Sequence, residues 1–459
     1  MHISRHNMEF NVDGTLYLLN PLSGAFNRID SPELKEQWKQ LSQGAELPEN
    51  DAFVSKLVKG GFVYRDEDEE RIQYNRVKAI ADAFYQRTLR CHIIMSYDCN
   101  LSCVYCFEKS IARNGREMTE EMALKCLQTI ESLAEDYEKV EIVLFGGEPL
   151  LYNEARVKLV QFILDFAGDK GWTVDVITNG VDLKHYANML RDFGRIGQIQ
   201  VTLDGPKELH DERKPANDGS GSFVSTEASI DVALKAGLPI VVRMNIDSQN
   251  LEHFAELADF FALKGWFDYP NFGAYFGMTY DFEGDYAYQM PPHKLLARVL
   301  DLRMQRPNVR RISIEAWESL QFVLYPYFKG EPRLPKFQFC SAQRGEHNFD
   351  SEGNLYFCAD SVGRNGCVAG KYYPELAYSD MAENIRSNTV PGINTICAAC
   401  PAQLCCGGGC WFRRYLSKDP KCSEMVYQVL ETTVRYLHCH PEVFSENYLT
   451  AQKLEQAAV

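Results

Sequence analysis

The sequence of 459 residues contains no apolar run approaching the roughly 18 residues of a membrane-spanning helix. Nor is there an excess of basic residues. Lys and Arg number 48 against 63 Asp and Glu, a formal charge of −15, which argues against a general binder of nucleic acid or anionic membrane. The N-terminus lacks the basic-plus-apolar pattern of an export signal, and no internal repeat or low-complexity stretch appears. Cysteine, in contrast, is plentiful at fifteen residues. Without an export signal these cysteines point to the cytoplasm, where thiols stay reduced and serve metals. A hydrophobic content of 45% supports a sizeable core, and the length suggests about three domains.

The chemistry concentrates in Cys99-Asn-Leu-Ser-Cys103-Val-Tyr105-Cys106, directly after a strand-like stretch at 92–96. Three thiolates in eight positions leave one over if they pair as disulfides, and cannot alone complete a tetrahedral zinc site. They can hold three irons of a [4Fe–4S] cube, leaving the fourth iron open to another ligand. This Cys-x3-Cys-x2-Cys spacing, with an aromatic before the last cysteine, resembles the radical S-adenosylmethionine (SAM) superfamily. The resemblance implies that the methionine moiety of SAM chelates the open iron.

From about residue 90 to 310 strand and helix patterns alternate. Strands are expected at 92–96, 140–145, 173–178, 198–203, 240–245 and 272–276, and helices at 119–137, 153–167, 225–236 and 251–264. Such alternation predicts an α/β fold with a parallel sheet, here a partial (β/α)6 TIM-like barrel with catalytic groups at the C-terminal strand ends. Phe145-Gly146-Gly147-Glu148-Pro149 follows the second strand. Its glycines allow close backbone approach to a ligand, and Glu148 offers an acceptor for an ammonium group. The stretch matches the GGEP signature of the resembled family, which holds the methionine amine. Thr178-Asn179 and Thr202 with Asp204 end the third and fourth strands and resemble family segments whose side-chain oxygens could bond ribose hydroxyls or the carboxylate. Tyr105, the aromatic of the cysteine motif, is a further candidate for SAM binding. Arg243, ending the fifth strand, is a candidate partner for the SAM carboxylate. Leu203-Asp-Gly-Pro206 followed by His210-Asp211 and Arg213 resembles the peptide- and protein-modifying branch of the superfamily.

The first 85 residues read as a separate module. Hairpin strands flank Asp13-Gly14, a third strand spans 24–29, and Ser31-Pro32-Glu33 opens a helix. A second helix starts near Asn50 and ends at Gly60-Gly61. A short strand follows at 62–64, and the acidic run Asp66 to Glu70 reads as a linker. The order resembles the winged-helix element that captures leader peptides in ribosomal peptide maturation.

In the last third, Cys340 and Cys358 precede Cys397-x2-Cys400-x5-Cys406-x3-Cys410 and Cys422. This resembles the seven-cysteine SPASM extension, which binds two auxiliary [4Fe–4S] clusters. The resemblance implies one cluster on Cys397, Cys400, Cys406 and Cys422, and another on Cys340, Cys358 and Cys410. Cys367 is an extra candidate ligand for the second, and Cys405, beside Cys406, allows the register to slip by one. A zinc ribbon is the competing reading of Cys397-x2-Cys400. Cys126 reads as a core residue.

The expected organisation is a winged-helix-like leader module over 1–85, the radical SAM barrel over 86–310, a connecting segment over 311–335, the SPASM domain over 336–442 and a peripheral tail over 443–459. The resemblance implies a cytoplasmic maturase of the sactipeptide or ranthipeptide type, with three [4Fe–4S] clusters and SAM. It would take electrons from a flavodoxin or ferredoxin and abstract a hydrogen from a leader-bound precursor peptide through a 5′-deoxyadenosyl radical. The expected product is a Cys thioether. Carbon–carbon cross-linking is the near alternative, and formylglycine formation, with Asp360 as base, the further one. A non-catalytic peptide-binding iron–sulfur scaffold is the reading from another class.

Overall fold

The structure is a computed structural model that describes residues 1–45, 48, 51–85, 87–113, 115–279, 286–344, 346–387, 395–417 and 424–444. The N-terminal elements follow the local sequence signals closely. β1 (His2–Ile3) later pairs antiparallel with β5 (Val63–Tyr64). Between them β2 (Met8–Val12), β3 (Thr15–Asn20) and β4 (Ala25–Ile29) form an antiparallel sheet. α1 (Pro32–Ser42) starts at Ser31, whose Oγ accepts the Leu34 N–H at 3.3 Å. α2 (Ala52–Lys59) starts at Asp51, whose carboxylate accepts from Phe53 and Val54 N–H.

The acidic run departs from expectation. It is the first turn of α3 (Glu67–Tyr85), not a linker. Asp66 Oδ1 accepts the Glu69 N–H at 2.8 Å, and four acids in that turn complement the helix dipole. Glu70 is buried, accepting from Ser4 Oγ at 2.6 Å and meeting His2 Nε2 at 2.8 Å.

Six parallel strands then carry the alternating pattern. They are β6 (Thr88–Ile94), β7 (Lys139–Phe145), β8 (Thr173–Thr178), β9 (Ile196–Thr202), β10 (Ile240–Ile246) and β11 (Phe272–Met278), adjacent in that order. Leu89, Cys91 and Ile93 of β6, Ile142 and Leu144 of β7, and Val174 and Val176 of β8 are buried. They join the core with Cys126, Leu127 and Ile130 of α4 (Glu120–Leu133) and Ile163 of α5 (Glu154–Asp169). Arg90 on β6 instead pairs with Glu141 at 2.7 Å and Asp175 at 3.1 Å. α6 (Leu183–Phe193), α7 (Lys207–Arg213), α8 (Phe223–Lys235) and α9 (Phe254–Leu263) complete the crossovers.

The sheet does not end at six strands. β12 (His347–Asp350) adds parallel to the open edge of β6, and β13 (Asn354–Tyr356), β14 (Gly370–Lys371) and β15 (Ala377–Tyr378) continue it antiparallel. The C-terminal part thus covers an edge that would otherwise present unpaired backbone groups.

Two further contacts join the ends of the chain to its middle. Leu22, Tyr74, Val77, Ala81 and Tyr85 pack with Phe337 and Leu404, so the N-terminal elements lie on the C-terminal cysteine region. The helix Glu424–Cys439 touches β2 through Tyr427, whose hydroxyl donates to Glu9 O at 2.7 Å, and reaches Asp301 through Tyr436 at 2.6 Å. Val443 and Phe444 are fully buried, and Arg303 Nε donates to Val443 O at 2.7 Å. The segment from 443 therefore begins inside the protein rather than at its periphery; residues 445–459 lie outside the described ones.

Candidate functional site

The C-terminal end of β6 runs into the cysteine loop, and neighbouring strand ends hold that loop from two sides. On one side Glu148 N–H donates to Asp98 O at 2.9 Å. Gly147, at φ +47°, lies so close that a Cβ would fall 2.3 Å from Asp98 O. Only glycine fits there, which explains the Gly-Gly pair physically. On the other side Ser102 N–H donates to Pro215 O and Val104 N–H to Arg213 O, at 2.9 and 3.0 Å.

The three thiols are brought together. Cys103 bears electrostatically on both Cys99 and Cys106. Burial pushes Cys99 up to about 12 and Cys106 up to about 11. Leu101 N–H points at Cys99 Sγ at 3.4 Å and Asn179 Nδ2 at 3.7 Å. All described cysteines are free. Three free thiols on one loop are the donor set an iron–sulfur cluster takes, and N–H groups at Cys99 Sγ would tune such a cluster. Among the described residues no three His, Cys, Asp or Glu side chains are arranged around a single metal ion. The raised thiols would release their protons on binding metal.

Glu148, Thr178 and Asn179 converge beside Cys99. Glu148 is buried, accepting from Thr178 Oγ1 at 2.6 Å and Leu150 N at 2.8 Å on one oxygen, and from Asn179 N at 2.7 Å on the other. Tyr105 and Asp204 also meet, the hydroxyl donating to the carboxylate. Thr202 is buried at the end of β9, in register with Arg243.

Arg243 bonds within its own strand. Its Nε donates to Asn245 Oδ1 at 2.7 Å, and its charge opposes the upward push that burial and Glu346 exert on Asp360. Arg243 thus bears on Asp360 from β10 across to the C-terminal region. Arg113 Nη1 donates to Leu101 O of the cysteine loop at 2.8 Å, and a second cation that bears on the loop is Lys214, which the sequence reading did not single out. It is 4% exposed. Burial pulls its pKa down, but Cys103, Asp204, Cys99 and Glu148 outweigh that and hold the ammonium charged. A lysine four positions after His210 in a polar run carries no local sign of burial; only the fold turns it inward.

In the C-terminal region Cys340, Cys358 and Cys410 come together. Cys358 is pushed up by burial and by Asp360, Cys340 and Cys410, and Cys340 is pushed up to about 12 by burial, Glu346 and Cys410. Cys406 likewise bears on Cys400, and Cys397 and Cys406 both act on Arg414. Cys422 lies outside the described residues. Cys367 is buried, and Arg364 is the neighbour that acts on its charge. Cys405 is buried against Cys406 and Cys400.

The first strand of this parallel α/β sheet thus ends in a loop with three free thiols. Residues 93–261 match the radical SAM superfamily. That match spans about a third of the chain, and the proteins it is similar to include peptide maturases. It is 23% identical over 180 residues to the sporulation killing factor maturation protein SkfB of Bacillus subtilis, covering 39% of this chain and 41% of that protein. It is 23% identical over 371 residues to the mycofactocin maturase MftC of Mycolicibacterium smegmatis, covering 72% and 81%. Among solved structures, native anSMEcpe with bound AdoMet aligns with TM-score 0.61 at 20% identity, covering 78% of this chain and 98% of that one. Streptococcus suis SuiB bound to precursor peptide SuiA aligns with TM-score 0.53 at 18% identity, covering 92% and 98%. At these identities the structural likeness establishes the fold.

Proposed function

We propose that this protein is a radical SAM peptide maturase that cross-links a ribosomally made precursor, with a Cys thioether as the product. The observation that carries this reading is the convergence of Cys99, Cys103 and Cys106 with Glu148, Asn179 and Lys214 at the C-terminal strand ends. When bound, a [4Fe–4S] cluster and SAM supply hydrogen abstraction from an unactivated carbon; the protein positions the substrate and excludes water. In this reading Cys99, Cys103 and Cys106 hold the cluster. Lys214 pairs with the SAM carboxylate, and the Glu148–Thr178–Asn179 group keeps the adjoining loop rigid. Residues 1–85 bind the leader. Cys340, Cys358 and Cys410, and Cys397, Cys400, Cys406 and Cys422, would hold auxiliary clusters, which would supply an electron acceptor for an oxidative cross-link. A flavodoxin- or ferredoxin-type donor supplies the reducing electron.

The second reading is formylglycine formation with Asp360 as base, favoured by its place beside Arg243 and by the likeness to anSMEcpe. The chain aligns with SuiB over 92% of its length and with anSMEcpe over 78%. That difference supports an additional module in the style of a leader-dependent maturase. The test is anaerobic turnover with a candidate precursor, a leader followed by a short Cys- or aromatic-rich core. The full precursor should lose two hydrogens per cross-link, and its core segment without the leader should react at least tenfold more slowly. Equal modification of both forms would contradict the leader role, and formylglycine in place of a cross-link would favour the second reading.

A further inference from the structure

Arg213, at the end of α7, has no solvent exposure. Its Nη2 and Nη1 donate to the two oxygens of Asp247 at 2.8 and 3.1 Å, a bidentate fork. Its Nε stands 3.8 Å from Asp204 Oδ2, and its guanidinium lies 5.1 Å from the centre of the Tyr105 ring. The Tyr105 hydroxyl donates to that same Asp204 oxygen and accepts from Asn245 Nδ2 at 3.2 Å. Asp204 is fixed in turn: its Oδ1 accepts Asn245 N–H at 3.0 Å, and its backbone oxygen accepts Asn250 Nδ2 at 2.7 Å.

Burying two carboxylates and a guanidinium carries a desolvation penalty of several kcal/mol per ion, and apolar side chains of similar volume would pack at least as well. The position of the assembly gives it a purpose. Tyr105 lies between Cys103 and Cys106, so its hydroxyl ties the cysteine turn to the ends of β9 and β10. Each oxygen of Asp204 accepts from a protein donor, which ties the end of β9 to the cysteine turn and to β10.

We propose that Asp204, Arg213 and Asp247 form a positioning assembly for the cluster loop, and that the Tyr105 hydroxyl is the latch through which it acts. The assembly sets where the Cys103–Cys106 turn stands relative to Lys214 and Glu148, and hence how well SAM fits between them. A displacement of about 1 Å at such a site is enough to lose a large factor. The inference rests on the radical SAM reading of this loop.

Tyr105→Phe removes the oxygen and keeps the ring. The reconstituted full-length variant should hold the iron of the parent protein yet bind SAM at least tenfold more weakly in equilibrium dialysis under anaerobic conditions. Asp204→Asn should weaken SAM binding similarly, and the double variant should be no weaker than the weaker single one, because both changes break one connection. If Asp204→Asn fails to fold, Tyr105→Phe decides alone. Selective loss of iron from the N-terminal cysteine loop in Tyr105→Phe would also support the latch, since the loop then cannot close without it. A SAM affinity within twofold of the parent in Tyr105→Phe, or effects of the two changes that multiply, would overturn it. A parent protein that binds iron but no SAM would instead overturn the radical SAM reading itself.

Discussion

The Tyr17 hydroxyl lies 2.9 Å from His438 Nδ1, joining the second strand of the N-terminal sheet to the last described helix across 421 positions of sequence. The ring of Tyr17 also meets that of His438 edge-on. The N-terminal module is therefore built into the C-terminal half. Phe337, 3% exposed, completes the same union from below by packing edge-on against Tyr74.

Phe337→Ala should lower the stability of the cluster-free protein by about 3 kcal/mol, the usual effect of emptying an aromatic core site. Tyr17→Phe should lower it by about 1 kcal/mol, the net worth of one hydrogen bond. Chemical denaturation midpoints check both. A Phe337→Ala effect no larger than that of Tyr17→Phe would mean that the module merely rests on the core.

Burial presses His210 down to about 3, with Lys214 and Arg213 adding to the effect. Its Nδ1 accepts the Asp204 N–H at 3.3 Å, so the ring is neutral in the folded protein. Because the folded pKa lies below the ordinary 6.5, the contribution to stability is whole above pH 6.5 and is lost as the pH falls toward 3. The slope is about 1.4 kcal/mol per pH unit. His210→Gln should flatten the stability profile of the cluster-free protein by that slope between pH 6.5 and 5. Parallel profiles for the two proteins would show that the ring is protonated when folded.

Lys214→Gln should weaken SAM binding at least tenfold without changing iron content, as expected for losing a charged hydrogen bond worth about 1.5–3 kcal/mol. Arg243→Gln should leave SAM affinity within twofold. Equilibrium dialysis of the two reconstituted variants distinguishes them, and the reverse order would restore Arg243 as the carboxylate partner.

The strands were legible because each is a short apolar run ending in its own turn or motif, and Phe145-Gly146-Gly147-Glu148 marks such an end unmistakably. Cys126 likewise faces the core, although neighbouring Leu124 is 39% exposed. What escaped depends on distant partners. The acids of α3 look like a solvated linker until Glu70 is seen between Ser4 and His2. β12 is four residues long, and nothing local says that it pairs with β6 across more than 250 positions. Lys214 was missed because burial of a cation is decided by what surrounds it: here Cys103, Asp204 and Glu148 from three other strand ends.

Three cubane clusters correspond to about twelve irons per chain. Reconstituted protein should approach that content, with Cys367→Ala leaving it unchanged, because that thiol is buried with Arg364 acting on it, while Cys340, Cys358 and Cys410 act on one another. Iron for one cluster, with zinc in the remainder, would favour a zinc ribbon in the C-terminal region.

The central claim is most directly tested by deoxyadenosine formation from SAM under dithionite, comparing the reconstituted protein with a variant in which Cys99, Cys103 and Cys106 are all Ala. The parent should produce deoxyadenosine. The variant should produce none while keeping the iron of its C-terminal half. Undiminished SAM cleavage by the variant, or none by a fully iron-loaded parent, would contradict the account.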